Sequence, residues 1–150
     1  MTFEEKRKFL ELYHDICLDM IITLQGIKDA HTEMLPGGQK ISDMPKSQTQ
    51  RDQMADFAVR VDRLERKHHF LLKAAWNIRD SIDATENIDQ RFALTKYYLA
   101  DGYTWAKIGQ LLHVGERQAK NIGHNGIEQL TIKDPKNAKA ILSMYGWKKE

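Results

Sequence analysis

Polar side chains that suit contacts with DNA are concentrated in residues 104–124. Arginine, lysine, asparagine and glutamine donate hydrogen bonds to base edges or phosphates, and threonine and histidine supply further polar contacts. The residues of this segment that share such chemistry are Thr104, Lys107, Glu116, Arg117, Gln118, Lys120, Asn121 and His124. Their clustering within two helical lengths predicts a surface that binds double-stranded DNA.

Apolar and small residues of the same segment have the spacing of a helix-turn-helix. The expected shared core of two short crossed helices is formed by Ile108, Leu112, Val114, Ala119 and Ile122. We expect Gly109 to let the backbones approach closely, and His113 to take the turn position where φ is often positive. Gly115 stands where a serine cap is usual. The alternative is a pair of ordinary packed helices that do not bind DNA.

The first turns of a recognition helix lie deepest in the major groove, so the residues that follow Gly115 are the expected base readers. Arginine suits guanine, whereas asparagine and glutamine suit adenine, which assigns base contacts to Arg117, Gln118 and Asn121. Glu116 either contacts cytosine or stabilises the positive end of the helix dipole, and we favour the second role.

Three other residues of the segment are expected to position the helix without reading sequence. Lys120, Lys107 and Thr104 are placed for phosphate contacts. His124 is expected to contact either a base or a phosphate. Trp105 and Tyr98 are expected to support the core.

An enzymatic function is not indicated by any residue pattern. His14 and Cys17 lie three residues apart, but Cys17 belongs to an apolar heptad pattern, which favours a buried structural thiol over a metal ligand. The other histidines show no metal-ligand spacing on one helical face, and no glycine-rich phosphate loop, nucleophile elbow or paired carboxylates are present. We therefore expect a protein that is not an enzyme and uses no cofactor or metal. The single cysteine, Cys17, excludes an intramolecular disulfide and is typical of a reducing cytoplasm.

Charge is distributed unequally along the 150 residues. Residues 1–87 carry 13 Lys and Arg against 15 Asp and Glu, whereas residues 88–150 carry 10 against 6. The half with the predicted helix-turn-helix is therefore the positive half, as contact with phosphates requires. No stretch of 18 apolar residues is present, which predicts no membrane span and a cytoplasmic location.

Two long heptad seams precede the DNA-binding segment and predict an all-α fold. Their members are, in the first, Leu10, Tyr13, Cys17, Met20, Leu24, Ile27, His31 and Met34, and in the second, Met54, Phe57, Val61, Leu64, His68, Leu71, Ala75, Ile78 and Ile82. Two helices of about 30 residues, separated by Pro36-Gly37-Gly38 and a polar stretch to Ser47, should fold into an antiparallel hairpin. Thr2 and Glu5 form an expected capping box at its start.

Such a hairpin buries one narrow seam, which leaves two ways to stabilise it. Either two copies associate into a bundle, which we favour, or the C-terminal helices complete the core of a monomer. The expected domains are a hairpin for oligomerisation over 1–84, a helix-turn-helix domain over 85–132, and a short helix and tail over 133–150. The helix-turn-helix domain begins with a helix over 88–99, capped by Asn87 and Gln90.

Residues 88–130 resemble the ArpU/RinA-type late transcriptional regulators of bacteriophages, whose C-terminal unit is similar to region four of bacterial sigma factors. The matching features are the approach from Tyr97 to Trp105, the Ile108-Gly109 helix, and the segment from His124 to Leu130. The periodic segment from Asp56 to Leu64 is also similar to small phage proteins of this group.

The resemblance implies a phage or prophage activator of late genes that binds DNA and contacts the RNA polymerase of its bacterial host. It also implies a location in the host cytoplasm or nucleoid. Two alternatives remain from the sequence. One is a small terminase subunit that recognises packaging-site DNA and forms rings, and the other is a helical adaptor that binds a protein and no DNA.

Overall fold

The computed structural model describes residues 1–33 and 48–148, and within these ranges the chain is entirely helical, without strands. The seven α-helices are α1 (Phe3–Glu11), α2 (Tyr13–Glu33), α3 (Gln48–Asp83), α4 (Ile88–Leu94), α5 (Trp105–Leu112), α6 (Glu116–Gln129) and α7 (Pro135–Met144). A π-helical turn (Thr95–Leu99) continues α4. The predicted all-α class is thereby confirmed for the described part of the chain. Met34, the predicted break at Pro36-Gly37-Gly38, the polar stretch to Ser47, and Lys149 lie outside it.

Side-chain caps at the helix starts follow the sequence closely. The Thr2 hydroxyl accepts from Glu5 N at 3.2 Å and the Glu5 carboxylate accepts from Thr2 N at 2.8 Å, which is the predicted capping box. At α4 the Asn87 side chain accepts from Gln90 N at 3.0 Å, but Gln90 returns no such bond because its side chain is buried. The second predicted capping box is therefore only half formed.

The predicted first long helix is interrupted at Leu12. There the backbone amide is shared between the carbonyls of Lys8 and Phe9, both at 3.2 Å, and the helix resumes at Tyr13. Leu12 itself is buried, together with Phe9 and Leu10 of α1. A shared amide is the usual geometry of a tightened helix end, so α1 ends as a separate helix whose apolar side chains enter the core.

The first heptad seam is shifted by one residue relative to the prediction. The buried positions are Phe9, Ile16, Thr23 and Ala30, which are spaced by seven. Of the predicted series 10, 17, 24 and 31, Leu10 is buried as expected and Cys17 is half-buried, whereas Leu24 is half exposed and His31 is exposed although its ring contacts Phe57. Thr23 and Ala30 are too small or too polar to stand out as core positions in the sequence. The larger Leu24 therefore placed the predicted buried side of the helix one residue too late. The second seam is confirmed in its C-terminal half, where Leu71, Ala75, Ile78 and Ile82 are buried.

Two compact units divide the described chain. One comprises Met1–Cys17 and Lys73–Glu150, and the other Leu18–Leu72. This division differs from the domain limits at residues 84 and 132 expected from the sequence. In the first unit α1 packs against α6 and α7, and Lys6 Nζ donates to the carbonyl of Glu128 at 3.2 Å.

The second unit contains most of α2 and the first half of α3. The guanidinium of Arg60 pairs with the Glu33 carboxylate at 2.6 Å. The rings of His31 and Phe57 meet edge to face with centroids 5.4 Å apart. None of the described helices combines the length and the apolar character needed to cross a membrane.

A buried polar network fixes the start of α7 against α3 within the first unit. Asn77 Nδ2 donates to the carbonyl of Asp134 at 2.8 Å and to Asn137 Oδ1 at 3.1 Å, while Asp134 N donates to Asn77 Oδ1 at 3.0 Å. Asn77 and Asn137 are both buried. Because one side chain satisfies two backbone groups, its loss leaves buried polar atoms without partners.

Replacement of Asn77 by alanine should lower the free energy of unfolding by about 2–4 kcal/mol, because one buried and two part-buried hydrogen bonds are lost at once. Denaturant unfolding followed by circular dichroism measures the change. Lys73→Ala, at an exposed position one turn earlier on α3, is the control and should stay within about 0.5 kcal/mol of the wild type. Equal losses in the two variants would contradict the network's role.

Candidate nucleic-acid interface

The segment α5–turn–α6 has the small shared core that its sequence predicts. Ile108 of α5 and Ala119 of α6 are fully buried, and Ala93 of α4 joins them. Partly buried apolar side chains surround this centre, namely Phe92, Tyr103, Trp105, Leu112, Val114 and Ile122. The five predicted core positions are confirmed, and α4 supplies a third wall.

The three-residue turn between α5 and α6 depends on two backbone positions. His113 has φ 58° and ψ 39°, the left-handed conformation expected for it, and is the one non-glycine residue with positive φ among those described. A Cβ on Gly109 would lie 2.8 Å from the carbonyl oxygen of Val114. The same stretch is closed by a hydrogen bond from Val114 N to Gly109 O at 2.8 Å. Only glycine at position 109 lets the turn fold back this closely.

The angle between α5 and α6 is set by Trp105 and Gly123. The indole of Trp105 lies directly on the α6 backbone, and a Cβ at Gly123 would overlap its ring. The indole also stacks on Tyr97, with centroids 4.1 Å apart and an interplanar angle of 11°. Although glycine weakens a helix interior, α6 runs unbroken to Gln129. Close packing against Trp105 compensates the low helix propensity of glycine, which is about 1 kcal/mol below that of alanine.

Gly123→Ala should therefore lower the free energy of unfolding by about 1–3 kcal/mol, although alanine is the better helix former. The added methyl group displaces the Trp105 indole, which should also alter the tryptophan fluorescence. Gly115→Ala provides the matched control, because a Cβ at Gly115 meets nothing within 4 Å and its φ of −70° strains no side chain. A stabilised Gly123→Ala variant would exclude this packing constraint.

The π-helical turn that ends α4 presents an aromatic and a cationic side chain to α5 and the segment before it. Tyr97 stacks on Trp105, and Lys96 Nζ lies 4.9 Å from the centroid of the Tyr103 ring. Tyr98 is buried, as expected for a core support. Burial, reinforced by the nearby Glu11 carboxylate, raises the pKa of the Tyr98 phenol above its ordinary value.

The raised pKa of Tyr98 predicts that alkaline pH destabilises the fold. Ionisation is easier in the unfolded chain, so this contribution to stability is complete below the ordinary tyrosine pKa of about 10 and is lost as pH rises toward the folded-state value. Unfolding free energies measured from pH 8 to 12 should fall in the wild type and fall less in Tyr98→Phe. Identical pH profiles would contradict this role.

The outward face of α6 is defined by the residues it buries on the other side. Ala119, Gly123, Gly126 and Ile127 are buried, and Arg117 and Asn121 lie opposite them, one helical turn apart. All other predicted contact residues in the first six positions are exposed as well, namely Glu116, Gln118 and Lys120. The structure therefore brings these five polar side chains onto one end of α6.

Asn125 belongs to the same surface but was missed in the sequence. It is exposed and lies one turn after Asn121, on the side shared with Gln118. Its i+4 spacing from Asn121 was the available signal. Glu128, one further turn toward the C-terminus, is exposed and acidic, so it limits the region suited to contact with phosphates.

His124 is placed less favourably than the sequence indicated. The imidazole is half-buried and meets the ring of Phe3 edge to face, with centroids 5.7 Å apart. This contact attaches α1 to α6 within the first unit. His124 therefore packs against α1 at the edge of the polar face, and its contact with a base or a phosphate stays a prediction.

Thr104 and Lys107 lie together at the start of α5. The Thr104 hydroxyl accepts from Lys107 N at 3.3 Å, and Lys107 Nζ donates to the carbonyl of Gly102 at 3.1 Å. Both residues are exposed. The capping bond leaves the hydroxyl hydrogen of Thr104 available as a donor.

Positive charge on α6 is not neutralised internally. Within residues 1–33 and 48–148, neither Arg117 nor Lys120 takes part in a salt bridge. Gly115 gives α6 no side-chain cap, so the first backbone amides of α6 point outward without such a partner. In the same described ranges, no three His, Cys, Asp or Glu side chains come together in a way that could hold a metal ion.

No protein-family model, curated protein or solved structure matches this chain. The resemblance to ArpU/RinA-type regulators therefore stays a prediction from the residues of the sequence. Support for a function comes from the geometry, exposure and charge of the α5–turn–α6 segment.

Proposed function

We propose that this protein is a sequence-specific DNA-binding transcription regulator that places α6 in the major groove. One observation carries the proposal: Arg117 and Asn121 lie one turn apart on an exposed face whose opposite side is locked to α5 by buried contacts. Base reading requires such a rigid support, because hydrogen bonds to base edges tolerate little misplacement.

The dimensions of α6 suit the groove. Its 14 residues extend about 21 Å, and a major groove about 12 Å wide admits an α-helix with its side chains. The N-terminal turns enter deepest, so Arg117 is assigned to guanine, and Gln118 and Asn121 to adenine. Asn125, one turn further, extends this line of amide side chains along the groove.

Phosphate contacts are assigned to the groups around the base readers. Lys120, Lys107 and Thr104 are exposed on α6 and at the start of α5. The uncapped first amides of α6 add donors that favour a phosphate at the positive end of the helix dipole. The exposed carboxylate of Glu116 at the same end weakens the attraction of a phosphate, and it stabilises the helix by its interaction with the positive end of the dipole.

The N-terminal part is proposed as an antiparallel helical hairpin that joins two copies. Two contacts of the second unit support this arrangement, since Gly26 lies beside Leu64 and His31 beside Phe57. Later residues of α2 thus meet earlier residues of α3. A dimer would carry two copies of α6 to two half-sites, as the symmetry of many operators requires.

The genes controlled by this protein are proposed from the resemblance alone. They would be late genes of a phage or prophage, activated in the bacterial cytoplasm by a protein that binds upstream DNA and contacts the host RNA polymerase. The positive charge of residues 88–150 supports the DNA-binding part of this proposal.

The double variant Arg117→Ala/Asn121→Ala should lose sequence-specific DNA retention while it keeps the helical content of the wild type. Each base contact contributes about 1–3 kcal/mol, so affinity for a selected site should fall by about 100-fold or more. Fragments are first selected by the wild type from the genome that encodes it and then tested by gel shift at fixed salt.

Lys139→Ala/Ser143→Ala on α7 is the matched control. It also removes one positive and one small polar side chain, one turn apart at exposed positions, but it lies off the α6 surface. The control should bind selected fragments nearly as well as the wild type. Equal binding by both double variants would contradict the assignment of α6 to base reading.

A further inference from the structure

Helix α2 exposes large apolar side chains on the side opposite to its buried one. Thr23 and Ala30, seven residues apart, are buried. The outer face of α2, which we define as Leu18, Ile21, Ile22 and Leu24, is 50–66% exposed at each residue. Leu18, Ile21 and Ile22 follow the i, i+3, i+4 spacing of one helical surface, and Leu24 lies beside Ile21.

The second unit therefore exposes larger side chains than it buries along α2. A soluble monomer carries single exposed leucines without consequence, but a contiguous aliphatic patch marks a contact surface. The four side chains of the outer face leave about 400 Å² of apolar surface open to water, which reaches the size of a functional patch.

The chemistry of the outer face favours an uncharged, apolar partner surface. The eight residues from 20 to 27, MIITLQGI, contain no acidic or basic side chain. Nucleic acid requires positive charge at its contact, and a strongly charged protein surface requires the opposite charge. An uncharged aliphatic centre is instead typical of the interfaces of homodimers, from whose cores charged residues are depleted.

We propose that the outer face of α2 is the surface through which two copies of this chain form a dimer. Contact across a two-fold axis places the same patch against itself, so a patch without charge meets no like-charge repulsion at its centre. Two patches of this size bury about 800 Å² of apolar surface, and the polar residues around them need to add about 400 Å² to reach the lower limit of about 1,200 Å² for a stable complex.

This inference rests on the proposed function in one respect, because reading two half-sites needs two copies of α6. It goes further by assigning the contact to the outer face of α2 instead of the heptad seam that faces α3. The seam is already occupied within one chain, where Gly26 lies against Leu64 and His31 against Phe57.

Sedimentation velocity on the full chain between about 1 and 100 μM tests the proposal. The wild type should show twice the 17.4 kDa mass of one chain. Ile21→Lys should raise the dimer dissociation constant by about 100-fold, because the two-fold axis places two lysines in the apolar centre. Circular dichroism should show unchanged helical content, since Ile21 is already 63% exposed.

Val59→Lys on α3 is the matched control, because it places the same charge at an aliphatic position that is 58% exposed but lies outside the outer face of α2. It should leave the dimer intact. A second measurement uses mild oxidation of Ile21→Cys and, separately, Val59→Cys, each in a Cys17→Ser background. A disulfide-linked dimer should form through position 21 and not through position 59.

Three outcomes would overturn the proposal: a wild type that is monomeric throughout this range, an Ile21→Lys dimer as tight as that of Val59→Lys, or a ring of eight or more subunits. A failure of the dimer proposal can be distinguished from a failure of the proposed DNA-binding function. The Arg117→Ala/Asn121→Ala comparison reports on base reading whatever the oligomeric state. Conversely, an Ile21→Lys monomer that binds one half-site weakly would support both the dimer surface on α2 and base reading by α6.

Discussion

The contact between the Trp105 indole and the bare backbone of α6 at Gly123 is the constraint on which the candidate interface depends. Stacking on Tyr97 holds one face of the indole, and the six-membered ring lies against the α6 backbone at Gly123. A flat aromatic ring against glycine allows a closer helix crossing than two ordinary side chains do. That crossing buries Ile108 and Ala119 and thereby turns Arg117 and Asn121 outward.

Support for α6 also comes from the beginning of the chain. α1 packs on α6 and α7, Phe3 contacts His124, and Lys6 donates to the Glu128 carbonyl near the end of α6. The Asn77 network ties α7 to α3 in the same unit. The C-terminal half of α6 is therefore held by packing, whereas the polar side chains of its N-terminal turns are exposed to solvent. A helix that enters a groove needs this combination of a fixed end and an accessible end.

The two long helices show why periodicity alone gives an incomplete core. The C-terminal half of the second seam was placed correctly because Leu71, Ile78 and Ile82 are large and buried, whereas Met54 at its start is exposed. The first was placed one residue late, since Thr23 and Ala30 carry the buried positions while Leu24 is half exposed. Hydrophobic size predicts burial only where an element has one apolar side. α2 carries apolar side chains on two sides, and only the packing of the helices decides which of these sides faces α3.

Local chemistry in the sequence determined the helical class, the caps at Thr2, Asn87 and Thr104, the left-handed turn at His113, and the core positions of α5 and α6. These features depend on neighbours within a few residues, where backbone hydrogen bonding and side-chain size decide the outcome. Tertiary structure alone decided that Gly123 receives an indole and that His124 turns toward Phe3. Such contacts join residues far apart in the chain, and their energies arise only once the helices are packed together.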